Sequence, residues 1–368
     1  MKVLITGDWH IGVTSFGTID DSGRNSRLID FERALQRSID IAISEKVDLY
    51  ICAGDIFHTN KPAIEDQRVF YRIIKRLEDS AINSRFIIGN HDYNSKLGAS
   101  HALRIFMDFL AGSNAKYVKI YDETTWEDFA NGNDLLKVCF YPYHAKQPEL
   151  NDYRNHFQRV ALVCHSHLEG AVVGCEPFEI RDDKATKFKD LPVDFVFAGH
   201  FHKPQILSKE PLAFYPGSIC PVDFNERNDV KGVVIVDTVE RSYECIAIRS
   251  REMHQIEVDW TASESCDIHN TADIVDAIVK VNIKMNEQQS RKFDESIIRK
   301  NLLEAGAHSI ASINLNIVRD EIRRNPDIKL DSGISSNFER YISSKDYGAE
   351  TNNIRLTGKQ IIDESIGT

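Results

Sequence analysis

A two-sheet α/β sandwich with flanking helices is the fold this chain predicts, on three observations. Short apolar runs alternate with helical stripes through the first part of the chain. Nearly every such run ends at a turn that carries Asp, Asn or His. The later runs follow one another through turns with no helix between them.

The runs come first. Lys2-Val3-Leu4-Ile5-Thr6 leads to Gly7-Asp8-Trp9-His10, Leu49-Tyr50-Ile51-Cys52 to Gly54-Asp55, and Arg85-Phe86-Ile87-Ile88 to Gly89-Asn90-His91-Asp92. Val160–Cys164 leads to His165, and Asp194–Ala198 to Gly199-His200-Phe201-His202. Continuous apolar runs of this length fit strands buried on both faces. Residues just beyond the carboxyl end of such a strand point into the crevice of the sheet, so five strands bring five distant blocks together.

Between the first runs lie three helical stripes: Phe31, Leu35, Ile39, Ala42; Phe70, Ile73, Ile74, Leu77; and Leu103, Phe106, Met107, Leu110. Strands alternating with helices imply a largely parallel start to the sheet. From Val193 to Val258 the runs Asp194–Ala198, Ala213–Tyr215, Gly232–Val236 and Tyr243–Ile248 lack helices between them, which predicts a second, more antiparallel sheet. Beyond Val258, Trp260–Asn270 reads as polar and turn-like, Thr271–Lys284 and Ser290–Ala305 as helices, and Ser312–Val318 as a strand. The tail past Asn325-Pro326 is rich in Ser, Asp, Asn and Gly, with helical stretches around Ser336–Ser344 and Gly358–Ile366. The expected organisation is a main domain over 1–258, a small α/β domain over 259–325, and a linker with a terminal helix over 326–368.

With 368 residues, 42% of them hydrophobic, the chain can bury a large core and form more than one domain. The net charge of −11 argues against a surface that grips nucleic acid everywhere, because such binding neutralises phosphates with Lys and Arg. Seven cysteines form no C-x-x-C pair, and Cys52, Cys139 and Cys164 lie inside apolar runs. They read as core residues of a protein in a reducing cytoplasm. The first run is broken by Asp8 and is no signal peptide; no stretch of about 18 apolar residues offers a membrane span.

Asp8, His10, Asp55, Asn90, His165, His200 and His202 form the candidate metal-ligand set. A mixed carboxylate, amide and imidazole set suits manganese or iron better than calcium, and no cysteine nearby suggests structural zinc. Two cations about 3.5–4 Å apart need a bridging ligand, for which Asp55 is the candidate. Such a pair clamps a phosphodiester and activates water for hydrolysis. His91, beside the ligand Asn90, can point across the site as general acid or transition-state stabiliser. Asp92 is placed to hold that imidazole in one tautomer. Of His165 and His167, the former follows its run immediately and is assigned as ligand, leaving His167 to face solvent or DNA. Trp9, between two ligands, reads as a packing anchor. Arg68, Arg72, Lys75 and Arg76 line one side of the second stripe and read either as phosphate contacts or as solvated surface. The opposite stripe, or the Leu103 helix, reads either as core or as a dimer contact.

In order, Asp8-x-His10, Gly54-Asp55, Gly89-Asn90-His91-Asp92, His165 and Gly199-His200-x-His202 resemble the signature of the calcineurin-like metallophosphoesterases. Asp8–Gly12, Gly54–His58, Tyr215-Pro216-Gly217-Ser218, Phe224-Asn225-Glu226 and Lys231-Gly232 further resemble the SbcD-type double-strand-break-repair nucleases, a branch that includes the recombination nuclease subunit of T-even phages. The resemblance covers roughly residues 1–250. It implies a two-sheet metallophosphoesterase sandwich, with one cation held by Asp8, His10, Asp55 and His202 and a second by Asp55, Asn90, His165 and His200. His91 takes the place of the catalytic histidine, and His58 matches another active-site histidine of some members. Also implied are two manganese ions, or magnesium, a duplex exonuclease and single-strand endonuclease activity on DNA, a homodimer, and a partner resembling the SbcC coiled-coil ABC ATPase. By order and size, the segment after Val258 corresponds to the small DNA-capping domain, and the terminal helix to the element that docks on the ATPase. Two other functions stay open on the residues alone: a phosphodiesterase for a small substrate, and a non-catalytic DNA-end-binding subunit.

Overall fold

The computed structural model describes residues 1–94, 100–151, 153, 158–173, 178–179, 185–263, 266, 274–318 and 333–366. The elements begin with β1 (Lys2–Thr6), α1 (Ser26–Ser44), β2 (Leu49–Cys52), α2 (Ile64–Asp79) and β3 (Ser84–Ile87). A short pair, β4 (Tyr93–Asn94) and β5 (Ser100–His101), precedes α3 (Arg104–Gly112), β6 (Val118–Tyr121), β7 (Thr125–Asn131) and β8 (Asp134–Tyr141). After β9 (Gln158–His165) and a second short pair, β10 (Val172–Val173) and β11 (Phe178–Glu179), come β12 (Phe195–Gly199), β13 (Gln205–Lys209) and β14 (Leu212–Tyr215). Then follow β15 (Gly232–Asp237), β16 (Ser242–Ala247), β17 (Met253–Asp259) and β18 (Ile278–Asn286). The chain ends with α4 (Glu287–Ser290), α5 (Glu295–Glu304), β19 (Ser309–Val318), α6 (Ile334–Ser343) and α7 (Thr351–Ile366).

The chain divides into two compact units: Met1–Ile256 with His269–Lys280 and Ser296–Ser312, and Glu257–Ile268 with Val281–Glu295 and Ile313–Thr368. In the first unit two six-stranded sheets run in the orders β16-β15-β1-β2-β3-β6 and β13-β14-β12-β9-β8-β7. Strands β1, β2, β3 and β6 are parallel, as are β14, β12, β9 and β8. The expected second, more antiparallel sheet is therefore corrected. Only its edge strands β13 and β7 are antiparallel, while the β15–β16 hairpin returns to the first sheet beside β1. The reason lies in β15 itself: Val233 and Ile235 pack with the helices while Val234 and Val236 face the other sheet, and a strand apolar on both faces belongs inside a sheet.

Alternation along each strand builds the layers. Val3, Ile5, Leu49 and Ile51 join Val138, Phe140, Ala161, Val163, Phe195 and Phe197 in the core between the sheets. Leu4, Tyr50, Cys52 and Phe86 point the other way, onto Phe31, Leu35, Phe70, Ile73 and Leu77 of α1 and α2. Each fully buried side chain of this size contributes about 1.5–3 kcal/mol, so these layers hold the strand tips in place. Trp9 is the packing anchor that the sequence predicts: it is buried edge-on against Tyr50, Phe70 and Phe86, with its indole N–H donating to Thr6 Oγ1 at 2.9 Å. Cys52, Cys139 and Cys164 are free and buried.

The basic stripe of α2 is neutralised locally. Arg68 pairs with Glu65, Arg72 with Glu32, Lys75 with Asp79 and Arg76 with Asp40. Residues Thr271–Lys284, expected as a helix, instead give β18 from Ile278 onward; 271–273 lie outside the described residues. Val281, Ile283 and Met285 are buried and Lys280, Asn282 and Lys284 are not, a period of two that outweighs the helical reading. The helix expected at Ser290–Ala305 starts later, at Glu295, and the terminal one starts earlier, at Thr351. In the second unit α6 and α7 are joined by Glu339, whose carboxylate meets Arg355 at 3.0 Å and Lys359 at 2.9 Å. Among the described residues no helix is long and apolar enough to cross a membrane.

One polar tie spans the two sheets. Arg85 on β3, 3% exposed, grips both carboxylate oxygens of Glu127 on β7, at 2.6 and 2.8 Å. Burial alone would raise the Glu127 carboxyl, but the bonds from Arg85, Tyr121 and Lys119 outweigh it and hold it at about 2. The native state thus favours the ionised form, and this stability is present above 4.5 and lost as pH falls from 4.5 toward 2. Glu127→Gln should cost about 2 kcal/mol at neutral pH, read by denaturant unfolding. The gap to the parent protein should close below the ordinary glutamate range.

Candidate metal centre

The loops that leave β1 and β2 run side by side. Asp8 N–H donates to Gly54 O at 3.0 Å, His10 N–H to Asp55 O at 3.0 Å and Ile11 N–H to Ile56 O at 2.9 Å. In the other sheet, Gly199 and His165 are direct partners in the register of β12 and β9. Four candidate ligands occupy the left-handed region: Asp8 (φ 50°), His10 (45°), Asp55 (51°) and His200 (108°). Each such non-glycine residue costs on the order of 1 kcal/mol, and clusters of them mark functional sites. Two glycines permit the close approach: a Cβ on Gly89 would collide with the Asp55 backbone and carboxylate, and one on Gly199 with Ala53 O.

Contacts of 3.6 Å or less link all seven candidates. Asp8 accepts from His200 N–H at 2.9 Å, and Asn90 Oδ1 faces His200 Nδ1 at 2.8 Å and His165 Nε2 at 2.9 Å. Asp55 Oδ1 lies 3.4 Å from His165 Nε2 and its Oδ2 lies 3.6 Å from His10 Nε2, which in turn is 2.9 Å from His202 Nε2. Three groups have donor atoms within 4.8 Å of one another: Asp8/His10/His202 and Asp55/His165/His200, which flank Asp55, and His10/His58/His91 on the outer side of His10. The two oxygens of Asp55 thus face one group each.

These donors fit divalent cations. Two imidazole nitrogens 2.9 Å apart present lone pairs to each other unless a proton or a cation lies between them, and the buried His10 Nδ1 has no partner. The outer nitrogens of His165 and His202 are anchored as metal-binding imidazoles usually are. His165 Nδ1–H donates to Ala53 O at 2.8 Å, which turns Nε2 inward. His202 Nδ1–H donates to Glu226 Oε1 at 2.8 Å, and Glu226 Oε2 takes Lys231 at 2.7 Å and Ser218 Oγ at 3.0 Å.

Electrostatics separates the two carboxylates. Burial pushes the Asp8 carboxyl up to about 6. Burial would raise Asp55 as well, yet His165, His10 and His91 outweigh it and hold it below the usual carboxylate range. His165 is raised to about 9, its burial overcome by Asp55 and Asp8, while burial and the neighbouring His165 and His167 push His200 down to about 3. Divalent cations held here would compensate the charge of the two buried carboxylates.

His91 is half-buried beside this set. Its N–H donates to Asp55 Oδ1 at 2.9 Å and its ring lies 4.8 Å from that of His10. The expected tautomer partner is corrected: His91 Nδ1–H donates to the backbone oxygen of His58 at 2.8 Å, not to Asp92. Asp92 is fully buried and accepts the N–H groups of Ile56, Phe57 and Gly89, tying the β2 loop to the β3 loop. The His58 ring lies parallel to that of His91 at 5.7 Å and 5.5 Å from that of His10. His167, expected to face solvent or DNA, instead meets His200 Nε2 at 2.5 Å and stacks on Phe201. Glu226 is not singled out by spacing; its only signal is its place in the Phe224-Asn225-Glu226 segment that carries the resemblance.

Asp92→Ala strands three backbone donors and should lower the melting temperature of metal-free protein, by about 3 kcal/mol in stability. Unchanged melting with lost activity would restore a role through His91. Glu226→Ala should weaken manganese binding on the order of 10–100-fold, measured by calorimetry.

The profile of the calcineurin-like phosphoesterase family matches residues 1–204 of the chain. The SbcD component of the SbcCD nuclease of Bacillus subtilis is 28% identical over 275 residues, covering 64% of this chain and 66% of its own length. Exonuclease subunit 1 of Enterobacteria phage T4 is 26% identical over 247 residues, 65% of each chain. The DNA double-strand break repair protein Mre11 of Methanocaldococcus jannaschii is 27% identical over 248 residues, 64% of this chain and 62% of its own. The match spans just under two thirds of these relatives. With more than half of its length matched by the profile, this chain belongs to the calcineurin-like phosphoesterase family.

Proposed function

We propose that the chain is the metal-dependent nuclease subunit of a DNA break-processing complex, hydrolysing phosphodiesters with water activated between two divalent cations, manganese by preference. The observation that carries the reading is Asp55, whose oxygens face Asp8/His10/His202 on one side and His165/His200 on the other. The names of the relatives, nuclease, exonuclease and double-strand break repair protein, favour DNA over a small substrate.

In this proposal Asp8, His10, Asp55 and His202 hold one cation, and Asp55, Asn90, His165 and His200 the other. When bound, such a pair neutralises the phosphodiester and lowers the pKa of the attacking water. The chain's own residues do the rest. His91, with Nδ1–H committed to His58 O, presents Nε2 for proton donation to the leaving oxygen. His58, packed parallel to that ring, limits its rotation. The donor set of imidazole, amide and carboxylate supports manganese, with magnesium as substitute.

The partner proposals rest on other surfaces. Exposed Ile64, Tyr71, Ile105 and Phe109 lie on α2 and α3, with the Tyr71 and Phe109 rings 5.5 Å apart, a patch suited to a homodimer. Leu356 and Ile361 are exposed on α7, which supports docking on an SbcC-like ATPase. The segment 259–325 is proposed as the DNA-capping domain and 326–368 as the linker and docking helix. Neutralisation of the α2 basic stripe by acids leaves the metal centre, rather than that helix, as the anchor for DNA phosphates.

Purified protein with manganese should shorten a linear duplex. Asp8→Ala and His91→Ala should each reduce the rate by about 100-fold or more with unchanged circular dichroism. Full activity in both variants would overturn the proposal.

A further inference from the structure

A cavity of about 580 Å³ opens beside the metal centre, with Asn90, His165 and His200 in its lining. The opposite wall comes from the end of β8 and the segment that follows it, including Tyr143 and His144, and Ser166, His167 and Thr186 complete the lining. Tyr143 N–H donates to Ile88 O at 2.9 Å, so this segment is fastened to the loop that carries Asn90 and His91.

The segment is a tight turn: Ala145 N–H donates to Pro142 O at 3.2 Å, and His144, at its third position, has φ 63°. Such a turn favours Gly or Asn there. Here the position holds an imidazole, and an exposed one. It packs 4.1 Å from the ring of Tyr143 and 4.7 Å from that of Tyr93, while Tyr143 meets His165 edge-on at 6.4 Å. Among the described residues, neither tyrosine hydroxyl nor the His144 imidazole has a hydrogen-bond partner.

What such a cavity takes follows from its chemistry. No Asp, Glu, Lys or Arg is among the residues that line it. A further backbone phosphate would call for cationic side chains. Away from the three candidate metal ligands, where the phosphate belongs, the wall offers aromatic faces with free polar ends and no charged side chain, which suits a flat, uncharged group with polar edges. A nucleobase is such a group, and stacking recognises any base by its face.

We propose that Tyr143 and His144, supported by Tyr93, form a stacking subsite for one unpaired nucleobase, that of the nucleotide joined to the phosphate at the metal centre. This rests on the nuclease reading above and deepens it: the base must leave the duplex stack to enter, so a frayed, mismatched or single-stranded end is the favoured substrate.

The test compares two diesters with one leaving group, thymidine 5′-(p-nitrophenyl phosphate) and methyl p-nitrophenyl phosphate, with manganese. His144→Gly removes the ring and suits the left-handed backbone; Tyr143→Leu removes the second ring, and Tyr143→Phe restores it. In His144→Gly and Tyr143→Leu the ratio of kcat/KM for the nucleoside ester over the methyl ester should fall about tenfold, or about 1.4 kcal/mol, mostly through KM. Tyr143→Phe should recover it. Independently of activity, metal-free parent protein should quench 2-aminopurine deoxyribonucleoside 5′-monophosphate, and the two ring-deleted variants should not. An unchanged ratio with intact quenching overturns the subsite, as does an equal fall on both esters. If the parent hydrolyses neither ester the nuclease reading fails, and the quenching alone then decides the subsite.

Discussion

The centre depends on a costly arrangement of backbone. Asp8, His10, Asp55 and His200 are held in the left-handed region at the ends of strands, where chains of this chirality are strained. Strain of this kind persists only where surrounding structure over-determines it. Here that structure is the pair of parallel strand cores, whose registers bring Thr6 beside Cys52 and Gly199 beside His165. Gly89 and Gly199 then allow one turn to press against the next.

A second constraint is electrostatic. Two carboxylates, Asp8 and Asp55, are buried within one cluster of imidazoles, and their proton affinities are driven apart, one up to about 6 and the other below the ordinary range. Asp92, also buried, is raised to about 7 first by that burial and then by the charge of Asp55. A protein gains nothing in stability from packing such charges without compensation. Divalent cations bound by these residues would supply it and would let a cluster this polar sit between two well-packed layers.

Much of this is legible in the sequence because strands and helices are local patterns. The runs ending at Thr6, Cys52, Ile88, Cys164 and Ala198 announce strand tips, and the Phe31, Phe70 and Leu103 stripes announce helices. Pairing is not local. Whether Gly232–Asp237 joins one sheet or the other depends on apolar faces presented by residues more than two hundred positions away, so the local pattern assigns the hairpin to the second sheet whereas it lies beside β1 in the first. Val279–Asn286 alternates apolar and polar residues one by one, so this strand is legible in the sequence and the helical reading fails on the pattern itself. The partners of His91 and His202 are equally hidden: one is a backbone oxygen, which carries no sequence signal, and the other is Glu226, brought in by a turn. His167 is misplaced because one apolar run cannot reveal which of two nearby histidines turns inward.

The most direct measurement is a crystal structure with manganese soaked in and anomalous scattering recorded. Two peaks about 3.5–4 Å apart, one beside each oxygen of Asp55 and flanked by the two histidine groups, are the expected result. A single peak, or peaks that leave Asp55 without a cation, would contradict the shared-carboxylate centre on which the account rests.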